Sequence, residues 1–413
     1  MDDQKKSYAC CIAGGGPSGM MLGLLLARAG VHVLVLEKHG DFLRDFRGDT
    51  IHPSTLQVVH ELGLIEPFLA LPHQEVRELG AQVGGEFVPI ADFTHLPTRC
   101  KFLALMPQWD FLDFLAGVAR RYPSFSLWMR AEAQALIEEH GRVVGLEVMT
   151  PEGKREVRAD LVVGADGRHS LVRERAGLPV REFGAPMDVL WFRLSRAPGD
   201  PQNTMGRFDP GRIFVLINRE AHWQCAFVIP KGAFAGMRAG PVESFREAIA
   251  AVAPWAGDRV GEIASWDDVK LLTVRVDRLE RWHRPGLLCI GDAAHAMSPV
   301  GGVGINLALQ DAVATANLLA RPLAQRRLGP RDLAKVQRRR EFPTRVTQWI
   351  QVQAQQRIIA PVLGRSASIR LPLFLRLLAR HPVLRRIPAR LIGLGVRPEH
   401  VRSPVALTSP RAM

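Results

Sequence analysis

The sequence predicts an α/β fold: a parallel-sheet body that opens with a βαβ unit, a mostly antiparallel sheet interleaved with it, and a helical C-terminal region. Three observations carry this. Apolar runs at 8–13 and 31–37 flank a helical pattern at 17–29, and a Gly-rich turn joins the first run to the helix. Residues 183–275 change character to short strand-like runs broken by Pro and Gly. Beyond Arg321 the pattern is helical, Arg-rich and repeatedly interrupted by proline.

The elements follow in order. After the βαβ start come helices at 54–62 and 108–120, then strands at 142–149 and 155–163 with a turn at 151–153 between them. Strand-like runs at 189–194, 212–218 and 222–229 make up the inserted sheet. A buried strand at 287–291 and a long helix at 305–319 return to the α/β body.

A length of 413 residues suits one large body of two interleaved domains with its own core. Five cysteines form no C-x-x-C pair, so neither disulfides nor a zinc site is expected and a reducing compartment is the better reading. The apolar stretch 20–27 follows Gly-rich sequence and precedes no small-residue cleavage site, so no signal peptide is expected. No run approaches the length of a membrane span. The formal charge of +13 is not a nucleic-acid signal once it is located. Residues 321–413 hold 20 Lys and Arg against 3 Asp and Glu, which leaves the rest of the chain mildly acidic.

Gly14-Gly15-Gly16-Pro17-Ser18-Gly19 is a G-x-G-x-x-G that ends a strand and opens a helix. Gly14 permits the tight turn, Gly16 lets a pyrophosphate approach the backbone, and Gly19 lets helix and strand pack closely. The helix N-terminus adds N–H donors and a positive dipole. Glu37 closes the second strand, 23 positions after Gly14. Its carboxylate suits a ribose diol and repels a 2′-phosphate, so NADP does not belong in this Rossmann-like site.

Further motifs follow. Residues 160–173 read as a strand delivering the turn Asp166-Gly167, with Ser170 and Arg173 beyond it. Gly291-Asp292-Ala293-Ala294-His295 places an aspartate beside a glycine that permits close approach. Pro299-Val300-Gly301-Gly302-Val303-Gly304-Ile305-Asn306 opens the long helix and can present N–H groups and a positive helix end. Arg47 lies in Arg47-Gly48-Asp49-Thr50-Ile51-His52-Pro53, and Gln108 precedes a helix. Taken singly, each has a plain structural reading: a loop arginine, a polar helix start, a common Asp-Gly turn.

In this order and spacing the motifs resemble the single-component FAD-dependent aromatic hydroxylases, the family typified by p-hydroxybenzoate hydroxylase, across most of residues 1–320. The resemblance implies one non-covalent FAD, since no Cys or His stands in an attachment position, with NAD(P)H as transient reductant. It implies a cofactor set of Gly14, Gly16, Pro17, Ser18, Gly19, Glu37 and Lys38 around the adenosine and pyrophosphate. Arg47 would lie near the phosphates, and Asp166 and Gly167 near the pyrophosphate and NAD(P)H. Gln108 would contact the ribityl chain, and Asp292, after Gly291, would bind a ribityl hydroxyl. Pro299, Gly301, Gly302, Gly304, Ile305 and Asn306 would form the flavin environment, favouring the anionic reduced flavin. His295 reads as a packing residue rather than a base. No metal and no catalytic triad are implied, because oxygen transfer to the substrate passes through a flavin C4a-hydroperoxide.

Residues 1–75, 100–182 and 276–320 then form the FAD-binding domain, 76–99 and 183–275 the substrate-binding sheet, and 321–413 a basic tail. The expected partner is O₂ with a small aromatic or lipophilic substrate, hydroxylated or epoxidised between sheet and flavin. Trp191, Phe192, Phe214, Trp223 and Phe227 are candidate contacts, with Arg193 and Arg212 as anion partners; for any one aromatic, sheet core is the default reading. A flavin halogenase is the less favoured enzyme, because its W-x-W-x-I-P signature is missing. A reductase of isoprenoid double bonds or a redox-sensing flavoprotein shares the glycine loop and stays open. Substrate-stimulated NAD(P)H oxidation and product mass separate these. The enzyme is expected in the cytoplasm. The interleaved leucines and arginines of 369–395 raise peripheral membrane contact as a further expectation, which Pro372, Pro382 and Pro388 weigh against.

Overall fold

The computed structural model describes residues 7–43, 50–201, 204–219, 221–364 and 372–406. Its body is a sheet whose parallel strands run in the order Leu287–Cys289, Gly153–Gly164, Tyr8–Ala13, Val33–Glu37, Phe125–Met129. Cys10 pairs with Leu161 on one side and Val33 on the other. Tyr8–Ala13 is therefore central, and every residue of it after Tyr8 is buried. A strand covered on both faces needs a continuous apolar run rather than an alternating one, which is what the sequence supplies.

Helix Pro17–Arg28 makes the crossover to Val33–Glu37 and packs against the helices Gly304–Ala324 and Gln108–Ala119. The sheet grows away from Tyr8–Ala13 in both directions, so a crevice opens at the carboxyl end of that strand. Four motif segments converge there, each at the carboxyl end of a parallel strand. Gly14 follows Ala13, Glu37 ends its strand, Asp166 lies two residues past Gly164, and Gly291 lies two past Cys289. The sequence extended this last strand to residue 291. In the structure it ends at Cys289, and Gly291–Ala293 forms a 3₁₀ turn that carries Asp292.

The second sheet has seven strands, in the order Lys270–Leu272, Met187–Ser195, His222–Pro230, Arg212–Asn218, Met205–Asp209, Glu78–Val83, Glu86–Asp92. All neighbours are antiparallel except Met205–Asp209 with Glu78–Val83, where Gly206 faces Ala81. One face carries Leu190, Phe192, Phe214, Trp223 and Phe227 and packs on helix Val242–Val252 through Phe245 and Ile249. The opposite face carries Met187, Val189, Ile213, Ala226 and Val228, and meets Ile359, Val362 and Val300.

The proline-interrupted pattern expected beyond Arg321 is corrected at two positions. Pro322 lies within helix Gly304–Ala324, and Pro343 within the 25-residue helix Pro330–Ala354. Pro343 is buried, and the hydroxyls of Thr344 and Thr347 donate to the carbonyls of Arg340 and Pro343. Packing and local bonds thus offset the lost backbone donor. The expectation that no run reaches the length of a membrane span is corrected at 300–324, which is long and apolar enough by composition, though 72% of its apolar 18-residue stretch is buried inside the body.

Candidate functional site

The glycine loop is built from within. A Cβ on Gly14 would lie 2.3 Å from the Ala165 carbonyl oxygen, at φ +107°, and one on Gly19 would lie 1.9 Å from the Gly14 carbonyl oxygen. Both positions exclude side chains for reasons internal to the protein. Gly16 differs. It caps helix Pro17–Arg28 at φ −73°, a value open to any residue, and a Cβ there would meet no protein atom within 4 Å. Nothing in the protein requires glycine at 16; a group lying over the helix N-terminus would.

Glu37 is buried and anchors the loop. Its Oε2 accepts from the Gly15 N–H at 3.1 Å and its Oε1 from the His39 N–H at 3.0 Å. Lys38, beside it, is exposed. Pro17 occupies the first turn of the helix and Ser18 is buried there. Ser18 approaches the aspartate turn: a Cβ on Gly291 would lie 2.8 Å from its Oγ and 3.1 Å from the Ala308 Cβ. Asp292 itself is part-exposed at the rim and faces Arg168 at 3.7 Å, and Arg168 also donates to the Thr273 carbonyl at 3.4 Å.

The Asp-Gly turn serves as a brace. Asp166 accepts from Ser170 Oγ at 2.5 Å and from the Val172 N–H at 3.1 Å. Burial pushes its carboxyl up despite those bonds. Arg173 donates to the Arg168 carbonyl at 2.8 Å and pairs with buried Asp277 at 3.5 Å, and Asp277 accepts from the Ala296 N–H. In this way the 166–173 turn is tied to the 291–296 turn.

Asn306 braces the loop that opens the long helix. Its Oδ1 accepts from the His52 N–H at 2.9 Å and from Thr55 Oγ1 at 2.7 Å. Its Nδ2 donates to the carbonyls of Thr50 and Gly302. Gly301 and Gly302 have positive φ and set the turn before Gly304 and Ile305, with Pro299 capping it. Gln108, buried, starts the helix that packs on Pro17–Arg28. Arg47 lies outside the described residues.

Several residues that hold this region together carry no local sequence signal. Buried Asp311 accepts from the Gly291 N–H at 3.1 Å, bonds His295 Nε2 at 2.5 Å and pairs with Arg340 Nε at 2.9 Å. Arg340 reaches Glu399, which also binds Arg339 at 2.6 Å. Burial alone would raise Asp311, but His295 and Arg340 outweigh it and hold its carboxyl below the usual range. His295 is thus a structural member of a buried charge network. His52 is fully buried; its Nδ1 donates to the Ile392 carbonyl at 2.7 Å, leaving Nε2 without a hydrogen-bond partner among the described residues.

The aromatic set of the inserted sheet divides by strand alternation. Phe192, Phe214, Trp223 and Phe227 lie on the face away from Val300 and stack among themselves and on Phe245 and Trp255. They are sheet core. Trp191 lies on the face that meets Val300, where it is part-buried, as is Phe208 of strand Met205–Asp209. Arg193 is exposed and Arg212 part-buried.

Comparison with known proteins agrees with this geometry. The family model described as an FAD binding domain matches residues 7–350. The chain is 33% identical over 395 residues to a 6-methylpretetramide 4-monooxygenase of Streptomyces rimosus, covering 95% of this chain and 94% of the relative. It is 29% identical to a dialkyldecalin synthase of Streptomyces rugosporus, covering 73% of this chain and 63% of that protein. Among solved structures, the anhydrotetracycline hydroxylase of Streptomyces rimosus superposes with a TM-score of 0.74 at 25% identity, over 94% of this chain and 76% of the other.

Proposed function

Since the chain belongs to the family of FAD-dependent aromatic monooxygenases, we propose that it places one oxygen atom from O₂ on an aromatic substrate akin to the 6-methylpretetramide in its relative's name. FAD is the cofactor, and NAD(P)H the reductant typical of the family. When bound, FAD supplies the redox chemistry, accepting reducing equivalents from NAD(P)H and activating O₂.

The observation that carries the cofactor's place is the open space over Gly16 at the N-terminus of helix Pro17–Arg28. In our reading the N–H groups and dipole there hold the pyrophosphate, with Pro17, Ser18 and Gly19 shaping the turn. Glu37, already fixed by two N–H donors, turns its remaining acceptor capacity to the ribose, with Lys38 alongside. Asp292 would accept from a ribityl hydroxyl and Gln108 would add a second polar contact. The 299–305 loop would present its backbone N–H groups to the flavin. Asp166, Gly167 and Asn306 contribute by bracing these segments, since the polar side chains of Asp166 and Asn306 are engaged within the protein.

We place the substrate near part-buried Trp191 and Val300, at the rim of the sheet face whose Val189, Ala226 and Val228 pack on Ile359 and Val362. That apolar surface excludes water, which protects oxygen transfer from uncoupling. Residues 1–75, 100–182 and 276–320 then serve FAD, and 76–99 with 183–275 serve the substrate. A cytoplasmic location fits the use of NAD(P)H.

The test is incubation of the purified protein with NADH or NADPH, O₂ and a panel of phenols, quinolones and polyketides that includes 6-methylpretetramide. The expected result is substrate-stimulated NAD(P)H oxidation with a product heavier by one oxygen. Turnover of a substrate without O₂ or reductant would overturn the oxygenase reading in favour of a synthase activity such as the dialkyldecalin relative's name describes.

A further inference from the structure

The short helices Leu373–Arg380 and Arg386–Gly393 lie against the outer strand Glu86–Asp92 of the second sheet. Their inner faces are fully employed. Leu375 and Leu378 pack on Ala81, Val83 and Val88, and Ala389 and Leu394 pack on the cluster around Phe93. A surface helix needs one apolar face, and these have that face inward. Yet they and the 3₁₀ turn Pro382–Arg385 that joins them carry a second apolar set outward. Leu373 is 73% exposed, Val383 66% and Ile387 60%, with Phe374, Leu377 and Leu391 exposed beside them.

Charge identifies what this surface meets. Between Glu341 and Glu399 the sequence contains no Asp or Glu. Arg385 caps the first helix by donating to the Leu378 and Ala379 carbonyls, and Arg386 reaches His95. Arg376, Arg380 and Arg390 are exposed on the same two helices, with no ion-pair partner among the described residues. Apolar side chains standing among unpaired arginines match a surface that is anionic outside and apolar beneath. The same face on a second copy would set arginine against arginine, which disfavours a two-fold dimer here.

We propose that the helix pair 373–393 docks the protein on anionic phospholipid, with Leu373, Phe374, Val383 and Ile387 entering the headgroup boundary. Arg376, Arg380 and Arg390 would meet lipid phosphates. The proposal does not depend on the oxygenase reading, because docking is measured without turnover.

The experiment uses the full-length FAD-bound protein and sedimentation with vesicles of phosphatidylcholine alone or mixed with phosphatidylglycerol, at low and high salt. Two variants accompany it, Leu373→Ser with Phe374→Ser and Ile387→Ser, and Arg376→Gln with Arg380→Gln and Arg390→Gln. All six positions are exposed, so circular dichroism and flavin absorbance should match the parent. The parent is expected to sediment with the mixed vesicles at low salt and to be released by high salt. The arginine variant should lose on the order of a hundredfold in partitioning, from about 1 kcal/mol per charge, and the apolar variant should also bind less. The proposal is overturned if the parent ignores anionic vesicles at low salt, binds neutral ones equally, or binds unchanged in the arginine variant. It is also overturned if light scattering shows a dimer that only the apolar variant dissolves, since a second copy would then cover the face. NAD(P)H oxidation followed on the same samples separates failure of docking from failure of the catalytic reading.

Discussion

Asp311 and Arg340 form an ion pair at 2.9 Å in which both side chains are shut off from water. The pair joins the long helix Gly304–Ala324 to Pro330–Ala354, and the other carboxylate oxygen of Asp311 holds the Gly291 N–H. Breaking a buried pair strands one charge, at a cost of about 3–5 kcal/mol. Asp311→Ala is therefore expected to lower the urea midpoint by that equivalent with an unchanged m-value, and to weaken FAD binding through the loosened Gly291–Asp292 turn. An unchanged midpoint would show that Glu399 alone suffices for Arg340.

Gly16 and Gly14 should behave oppositely on substitution. Gly16→Ala adds a methyl that meets no protein atom, so the unfolding temperature of the flavin-free protein is expected to hold while FAD affinity falls about tenfold or more. Gly14→Ala forces a Cβ against the Ala165 carbonyl at a positive φ and should lower the stability of the flavin-free protein. Titration with FAD and thermal unfolding of both variants check this; full FAD affinity in Gly16→Ala would remove the pyrophosphate from this loop.

How far the sequence could be read depended on whether a signal was local. The βαβ start, the glycine loop and the aspartate turn are short-range patterns and appear where the residues place them. Strand Glu132–Glu139 was invisible because E-A-Q-A-L-I-E-E consists of helix formers; pairing with Arg142–Thr150 overrides that preference. The partners that Asp311, Arg173 and His52 find across the fold, His295, Asp277 and Ile392, lie 16, 104 and 340 positions away, and no local motif announces them. The aromatic residues of the inserted sheet were legible as strand residues but not as faces, since which parity points inward depends on what packs on each side.

That division gives a paired test. Phe192→Ala is expected to lower stability by about 3–5 kcal/mol and leave the KM for the aromatic substrate near that of the parent. Trp191→Ala, one residue earlier on the other face, should change KM with a smaller loss of stability. Denaturant midpoints and steady-state kinetics on both variants decide it, and equal KM effects would place the substrate elsewhere.

Asp292→Ala removes a charge-assisted acceptor for a ribityl hydroxyl, worth about 1.5–3 kcal/mol or roughly tenfold to hundredfold in FAD affinity. Glu37→Gln keeps one acceptor but turns an amide N–H toward a backbone N–H, because Gly15 and His39 each donate to a different oxygen. It is expected to weaken FAD by about 1 kcal/mol and leave the preference between NADH and NADPH unchanged. A switch in that preference would show that the loop holds the nicotinamide nucleotide instead. Acid precipitation of the parent should release all flavin to the supernatant.

His52 sets a pH dependence of stability with a definite sign. Burial pushes its pKa down to about 4, against the raising effect of its bond to the Ile392 carbonyl. The unfolded chain therefore takes up a proton near the ordinary value of 6.5 that the folded protein refuses until about 4. Stability is fully present above 6.5, falls as pH drops through that window, and levels off below 4, with a full extent of about 3 kcal/mol. Asp311, with its depressed carboxyl, acts in the same direction but only below its ordinary value of 3.8, so the two windows separate. His222 and His283 also sit low and are unchanged between parent and variant, so they cancel in the difference. His52→Asn can still donate to Ile392, its Nδ2 taking the place of Nδ1, and carries no titrating group. Denaturant unfolding of parent and variant from pH 7 to about 4 should give a difference in stability that changes steadily toward acid, the variant losing less. Parallel curves would mean that the His52 imidazole is protonated, or reaches water, in the folded protein, and that the 50–55 segment is not sealed under the tail.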